Sequence, residues 1–246
     1  MIAHRGLIVA LAAVAWLATP AGLRAQNRGA PPPAPTAKAS APVDLTGYWV
    51  AVVNEDWRYR MVTPPKGDYR GVPITLEALK IVNAWDPAAD EAAGNQCKSY
   101  GAGAIMRVPG RVHITWQDDN TLALDTDAGM QTRLFRFAAV AAPAGKPTWQ
   151  GNSTARWERG RGGSLTVVTT NMRAGYLRKN GVPYGENAKI TEYFDVAPLP
   201  NGGQLLVVTT EVDDPRYLTQ PFIVSSHFKK EADGSRWDPT PCSSTW

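Results

Sequence analysis

The stretch Pro109–Phe137, PGRVHITWQDDNTLALDTDAGMQTRLFRF, decides the fold. Val112, Ile114 and Trp116 alternate with His113, Thr115 and Gln117, the period-two pattern of a half-buried strand. Asp118-Asp119-Asn120 interrupts the run with turn formers, and Leu122 and Leu124 resume it. Asp127-Ala128-Gly129 then supplies a second turn, with Gly129 free to take the positive φ of a hairpin bulge, before Gln131–Phe137 returns. Three antiparallel strands in sequence, joined by tight turns, predict a β-meander.

Outward from this meander, Asp44–Val53 reads as a first strand and Trp57–Val62 as its continuation in alternation. Thr63–Pro73 is loop. Thr75 is placed to cap a helix over Leu76–Trp85, which Asp86-Pro87 stops, and Pro87–Gln96 adds a short second turn of helix. Downstream, Thr148–Glu158, Ser164–Thr170, Lys189–Val196, Leu205–Val212 and Pro221–Phe228 read as strands. The turns between them are Gly160–Gly163, Lys179-Asn180-Gly181, Pro200–Gly203 and Asp213-Asp214-Pro215. The expected fold is mainly β: a single antiparallel barrel of about nine or ten strands with one short helix packed outside, since closure removes exposed edges.

Residues 1–25 carry His4 and Arg5, an apolar run from Leu7 to Ala18, and Leu23-Arg24-Ala25 as a cleavage site, the pattern of a signal peptide. Pro20 and Gly22 interrupt the run before it could span a bilayer, so no stable membrane insertion is expected after cleavage. The mature protein is expected in the periplasm or outside the cell. Residues 26–43, rich in Pro and Ala, read as a solvated disordered linker, and 44–246 as one domain.

The whole chain holds 26 basic and 22 acidic residues, and cleavage of the expected signal peptide removes Arg5 and Arg24 and no acid. The remaining charges are interspersed, which argues against a nucleic-acid surface. Cys97 and Cys242 are the only cysteines, and in an oxidising compartment they are expected to pair. There is no CxxC, no HExxH, and only His113 and His227 after cleavage, so no metal site is expected. No GxSxG, P-loop or dinucleotide fingerprint occurs, and no cofactor is expected.

Gly47-Tyr48-Trp49 resembles the opening motif of lipocalins, in which the tryptophan plugs one barrel end beneath an arginine from late in the chain. Here Arg58 or Arg60 is the candidate cation. Further resemblance covers CKSYGAGAIMRVP from Cys97, the meander with Asp119-Asn120 and Asp127, PTWQGNSTARWE from Pro147, and SLTVVTTNMR from Ser164. It continues through NGVPYGENAKITEYF from Asn180 and VDDPRYLTQPF from Val212. Together these are similar to a widespread group of uncharacterised exported bacterial proteins with a lipocalin-like (calycin-type) barrel. That resemblance implies the fold but no activity. Many of the group have Ser-Glu where this chain has Gly185-Glu186, so a hydroxyl at 185 is absent.

A barrel of this size holds either side chains or one small ligand. The first expectation is an interior site for a small apolar or aromatic molecule, with Trp49, Arg58, Trp116, Trp157 and Tyr193 as ligand-binding candidates. The alternative is a cofactor-free lyase, isomerase or hydratase in which His113, Arg133 and Glu192 converge on a cavity for proton transfer. A structural or partner-binding envelope protein is the third, favoured by a filled barrel. All three turn on which strand faces point inward.

Overall fold

The computed structural model describes residues 34–137, 145–160, 162–200 and 202–245. Nine strands close a barrel: β1 (Gly47–Val52), β2 (Arg111–Asp118), β3 (Thr121–Thr126), β4 (Thr132–Arg136), β5 (Asn152–Glu158), β6 (Ser164–Thr170), β9 (Lys189–Pro198), β10 (Gln204–Asp213) and β11 (Phe222–Lys230). They neighbour one another in chain order, and β11 pairs with β1 to shut the seam, Trp49 opposite Lys230. The sequence interval between β6 and β9 holds a separate hairpin, β7 (Gly175–Arg178) with β8 (Val182–Tyr184), around the expected Lys179-Asn180-Gly181 turn.

The meander forms as its alternation dictates. Val112, Ile114, Leu122, Leu124 and Phe135 point into the barrel, and Asn120 N donates to Asp118 Oδ1 at 2.8 Å to tighten the first turn. Gly129 takes φ 83°, and a Cβ there would lie 2.2 Å from the Tyr100 ring, so only glycine fits. Gly47, at φ 104°, bends the chain into β1.

Several expectations are corrected. β4 and β5 pair in parallel, through Phe135–Ser153 and Arg136–Thr154, where an antiparallel barrel throughout is the expectation. One helix, α1 (Trp57–Arg60), is added to the expected pair, α2 (Leu76–Ala84) and the short α3 (Pro87–Ala92), with 3-10 turns at Gln96–Tyr100 and Ile105–Arg107. α1 replaces the expected strand continuation because Asp56, at φ 50°, turns the chain out of the sheet and Arg60 Nε then reaches the Arg107 carbonyl at 2.8 Å. Thr75 caps α2 as its sequence predicts, accepting from Ala78 N. The presumed linker does not run to 43: the compact barrel unit begins at Pro35. Ala37 N donates to Asn120 Oδ1 at 2.9 Å, and the Ala37 carbonyl accepts from Trp157 Nε1 at 2.8 Å. The proposed leader lies outside the described residues.

Inside, the side chains fill the barrel. Trp49, Ile114, Leu124, Phe135, Leu165, Phe194, Leu206 and Val208 are fully buried there. A second cluster, including Leu177, Tyr184, Ile190, Val212 and Phe222, lies toward the end carrying α2 and the hairpin. Between the clusters runs a polar belt: Glu192 lies between Ile190 and Phe194, and Thr210 between Val208 and Val212. Each large apolar side chain buried in this way stabilises the fold by about 1.5–3 kcal/mol relative to exposure.

The C-terminal tail leaves β11 and crosses the outside of β1–β3. Ala128 bridges Thr240, Gly129 N donates to the Thr240 carbonyl at 2.8 Å, and Cys242 is disulfide-bonded to Cys97 with Cα atoms 5.1 Å apart.

Candidate functional site

Register places a row of polar and aromatic side chains across the outer face of four adjacent strands. Tyr48 of β1 is opposite His113 of β2, His113 is opposite Asp125 of β3, and Asp125 is opposite Thr132 of β4. In each strand the preceding or following residue faces the core, so the period of two turns these four outward. Tyr48 and His113 stack with ring centroids 3.9 Å apart and planes 2° from parallel. Thr132 Oγ1 donates to Asp125 Oδ1 at 2.5 Å.

The tail roofs this row. Trp237 stands edge-on to Tyr48 at 5.8 Å and to His113 at 6.1 Å. A Cβ on Gly234 would meet the Tyr48 ring at 2.5 Å, so the tail backbone packs directly on that ring. Together with Met130, Gln131 and Pro239 these residues enclose a groove of about 300 Å³, at the lower end of the range for small-molecule sites. Gln131 Nε2 donates to the Gly129 carbonyl at 2.6 Å, which fixes one wall. The groove thus offers aromatic surface at one end and a carboxylate with a hydroxyl at the other.

The expected catalytic set is not brought together. Arg133 and Glu192 face inward and are fully buried, whereas His113 is half-buried on the opposite side of the wall. Arg133 holds Glu192 in a two-pronged pair, Nη1 to Oε1 at 2.9 Å and Nη2 to Oε2 at 2.5 Å. Arg133 Nη2 also reaches Thr169 Oγ1 at 3.3 Å, which in turn lies 2.8 Å from Ser153 Oγ. This network links β4, β5, β6 and β9 inside the wall, and the Arg133 guanidinium lies over the Phe135 ring at 5.0 Å. Its two charged members neutralise each other without access to a substrate, so its role is to hold the barrel.

Nor do the five expected ligand-binding residues share one cavity. Trp49 is buried as a plug, its Nε1 donating to the Leu45 carbonyl at 2.9 Å. The cation over its ring is Lys230 of β11, at 4.6 Å, rather than Arg58 or Arg60. Arg58 is exposed, and Arg60 is buried elsewhere. Trp116 and Trp157 pack with Phe137 in an aromatic cluster against the core. Tyr193 lies on the outer face of β9, 36% exposed.

Tyr48, Asp125 and Thr132 were missed as partners of His113, although their positions on the outward period of adjacent strands could have suggested them. Nothing in the local sequence signals Trp237, because its place depends on where the tail is tethered. Among the described residues, no group of three or more His, Cys, Asp or Glu side chains is placed to hold a metal ion. Comparison with protein-family models finds no match, and comparison with curated proteins finds none either.

Proposed function

We propose that this is an exported barrel protein that binds a small planar aromatic molecule, and that the site is the outer groove beneath the tail rather than the barrel interior. The observation that carries this reading is the Tyr48–His113–Asp125–Thr132 row roofed by Trp237. Aromatic walls favour a flat ligand through stacked and edge-to-face contacts, and the Asp125 carboxylate favours one with an N–H or O–H donor at its edge. The Cys97–Cys242 bond supports an oxidising compartment and so the export route. The cation of Lys230 over the Trp49 plug supports the relation to lipocalin-like barrels, with lysine in the role expected of arginine.

The test is calorimetric titration of the mature protein with a panel of hydroxylated and amino-substituted aromatic compounds, beside His113→Ala and Trp237→Ala variants. Binding by the parent, weakened at least about tenfold in each variant, which is about 1.4 kcal/mol, is the expected result. A ligand bound equally well by both variants would remove the groove from consideration. Silence across the panel would leave partner binding as the stronger use of a filled barrel.

A further inference from the structure

Helix α1 is four residues long, too short to hold itself together in water, and three buried arginines pin it from below. Arg60, on α1 itself, pairs with Glu55 and donates to the Arg107 carbonyl at 2.8 Å. Arg107 Nη2 in turn pairs with Asp56 Oδ2, at the head of the helix, at 3.1 Å. Arg178 of the β7–β8 hairpin packs its guanidinium on the Tyr59 ring, with Cζ 4.0 Å from the centroid, and its Nη1 donates to the Arg70 carbonyl at 2.7 Å. One side chain thus carries both α1 and the loop that follows it. Asn180 Nδ2 holds that loop again, donating to the carbonyls of Pro65 at 2.9 Å and Asp68 at 2.7 Å.

What this anchored segment turns outward is apolar. Trp57 and Met61, one helical turn apart, are 58% and 53% exposed, Val62 beside them is 54% exposed, and Tyr69 in the loop 37%. Among the described residues this is the densest run of large exposed apolar side chains. Cations surround it: Arg58, Lys66 and Arg70 are all exposed. The acids of the same segment are engaged, Glu55 and Asp56 in the pairs beneath α1 and Asp68 with Arg70, whose Nε lies 3.5 Å from Oδ1. Arg58 and Lys66 have no carboxylate within ion-pair distance among the described residues. A rigidly held apolar patch rimmed by charge of one sign marks a surface that meets something.

We propose that α1 and the loop over residues 65–70 form a membrane-contact surface, by which the folded barrel rests reversibly on a bilayer containing anionic phospholipid. Trp57, Met61 and Val62 enter the headgroup boundary, a depth that favours tryptophan, and Arg58 and Lys66 meet lipid phosphates. Charge complementarity selects this occupant: the free charges are all positive, and lysine is depleted where proteins meet proteins. The protein lies on the bilayer and does not cross it. This goes beyond the groove and rests on none of its residues.

The experiment is co-sedimentation of the mature protein with vesicles of phosphatidylcholine alone and of phosphatidylcholine with phosphatidylglycerol. Binding should require the anionic lipid and weaken as salt rises. Each cation at an anionic surface strengthens binding by roughly fivefold, so Arg58→Gln with Lys66→Gln should weaken it by about 25-fold. Trp57→Ala should weaken it at least about tenfold. All three side chains are exposed, and urea unfolding should find each variant as stable as the parent. In vesicles with brominated acyl chains, binding should quench part of the parent's tryptophan emission, and Trp57→Phe should bind with that quenching lost. Equal binding to the two kinds of vesicle, binding to neither, affinity undiminished in Trp57→Ala, or quenching in Trp57→Phe equal to that of the parent would each overturn the proposal. Dimerisation of the parent that Trp57→Ala abolishes, with no vesicle binding, would assign the patch to a second copy of the chain and overturn it likewise.

Discussion

The two faces of the same barrel wall carry the same kinds of chemistry and put them to opposite uses. Inside are a guanidinium, a carboxylate and two hydroxyls: Arg133, Glu192, Thr169 and Ser153. Outside are an imidazole, a carboxylate and a hydroxyl: His113, Asp125 and Thr132. The inner set is sealed from water and its carboxylate is consumed by the arginine, so it acts as a cross-strand clasp. The outer set borders a groove, with its carboxylate turned toward space that a ligand can enter. Residue types do not separate a scaffold from a site here; burial does.

The sharpest break of that contrast is Glu192→Gln. It strands the Arg133 charge in the core, and urea unfolding should show a loss of about 3–5 kcal/mol. The double variant Arg133→Met with Glu192→Leu should recover most of that loss, because it removes both charges together. A double variant as unstable as the single would mean that the pair contributes more than mutual neutralisation.

The strand order and core of the barrel were legible because alternation states which residues share a face. Leu122, Leu124 and Phe135 needed nothing else. Which face was inner for the polar residues was not legible: His113 and Arg133 both sit in alternating strands, and an inward arginine is tolerable only because Glu192 arrives from a strand remote in sequence. α1 hid for a related reason. Trp57–Arg60 has passable alternation, and only the turn at Asp56, together with the distant Arg107 carbonyl, decides for helix. The parallel β4–β5 junction and the position of Trp237 depend on chain paths that no local pattern encodes.

A next step down in magnitude is the paired variant Cys97→Ser with Cys242→Ser. Loss of a bond spanning 145 residues should lower stability by roughly 2–5 kcal/mol in the chain-entropy account. It should also weaken aromatic ligands in the groove, because the tail bearing Trp237 loses its far anchor; calorimetry beside urea unfolding separates the two effects. Weakened stability with intact affinity would show that the Ala128–Thr240 bridge alone seats the roof.

Smaller still, Thr132→Val on the outer face should alter stability by less than about 1 kcal/mol, measured by the same denaturation. An effect as large as that of Glu192→Gln would erase the distinction between the faces. The mildest probe is alkaline pH. Burial holds the phenols of Tyr100, Tyr176 and Tyr184 above their usual range, and for Tyr176 the neighbouring Asp90 adds to the effect. Folded chains therefore keep protons that unfolded chains release, so this contribution is intact below pH 10 and is lost as pH rises beyond it. Tyrosinate absorbance should show these residues lagging the exposed ones until unfolding; a single uniform titration in the folded protein would contradict their burial.

The seam between β1 and β11 sets an order of events. Trp49 has its strand partner Lys230 almost at the opposite end of the chain, so no N-terminal portion of the polypeptide can shut the barrel. Synthesis runs from the N-terminus, and the first barrel strand must wait, with one edge unpaired, for the last. Such long-range closure is slow compared with the hairpins that precede it. The barrel stays open until that last strand arrives; refolding followed at Trp49 should be the slowest phase, later than the collapse of the β2–β4 meander.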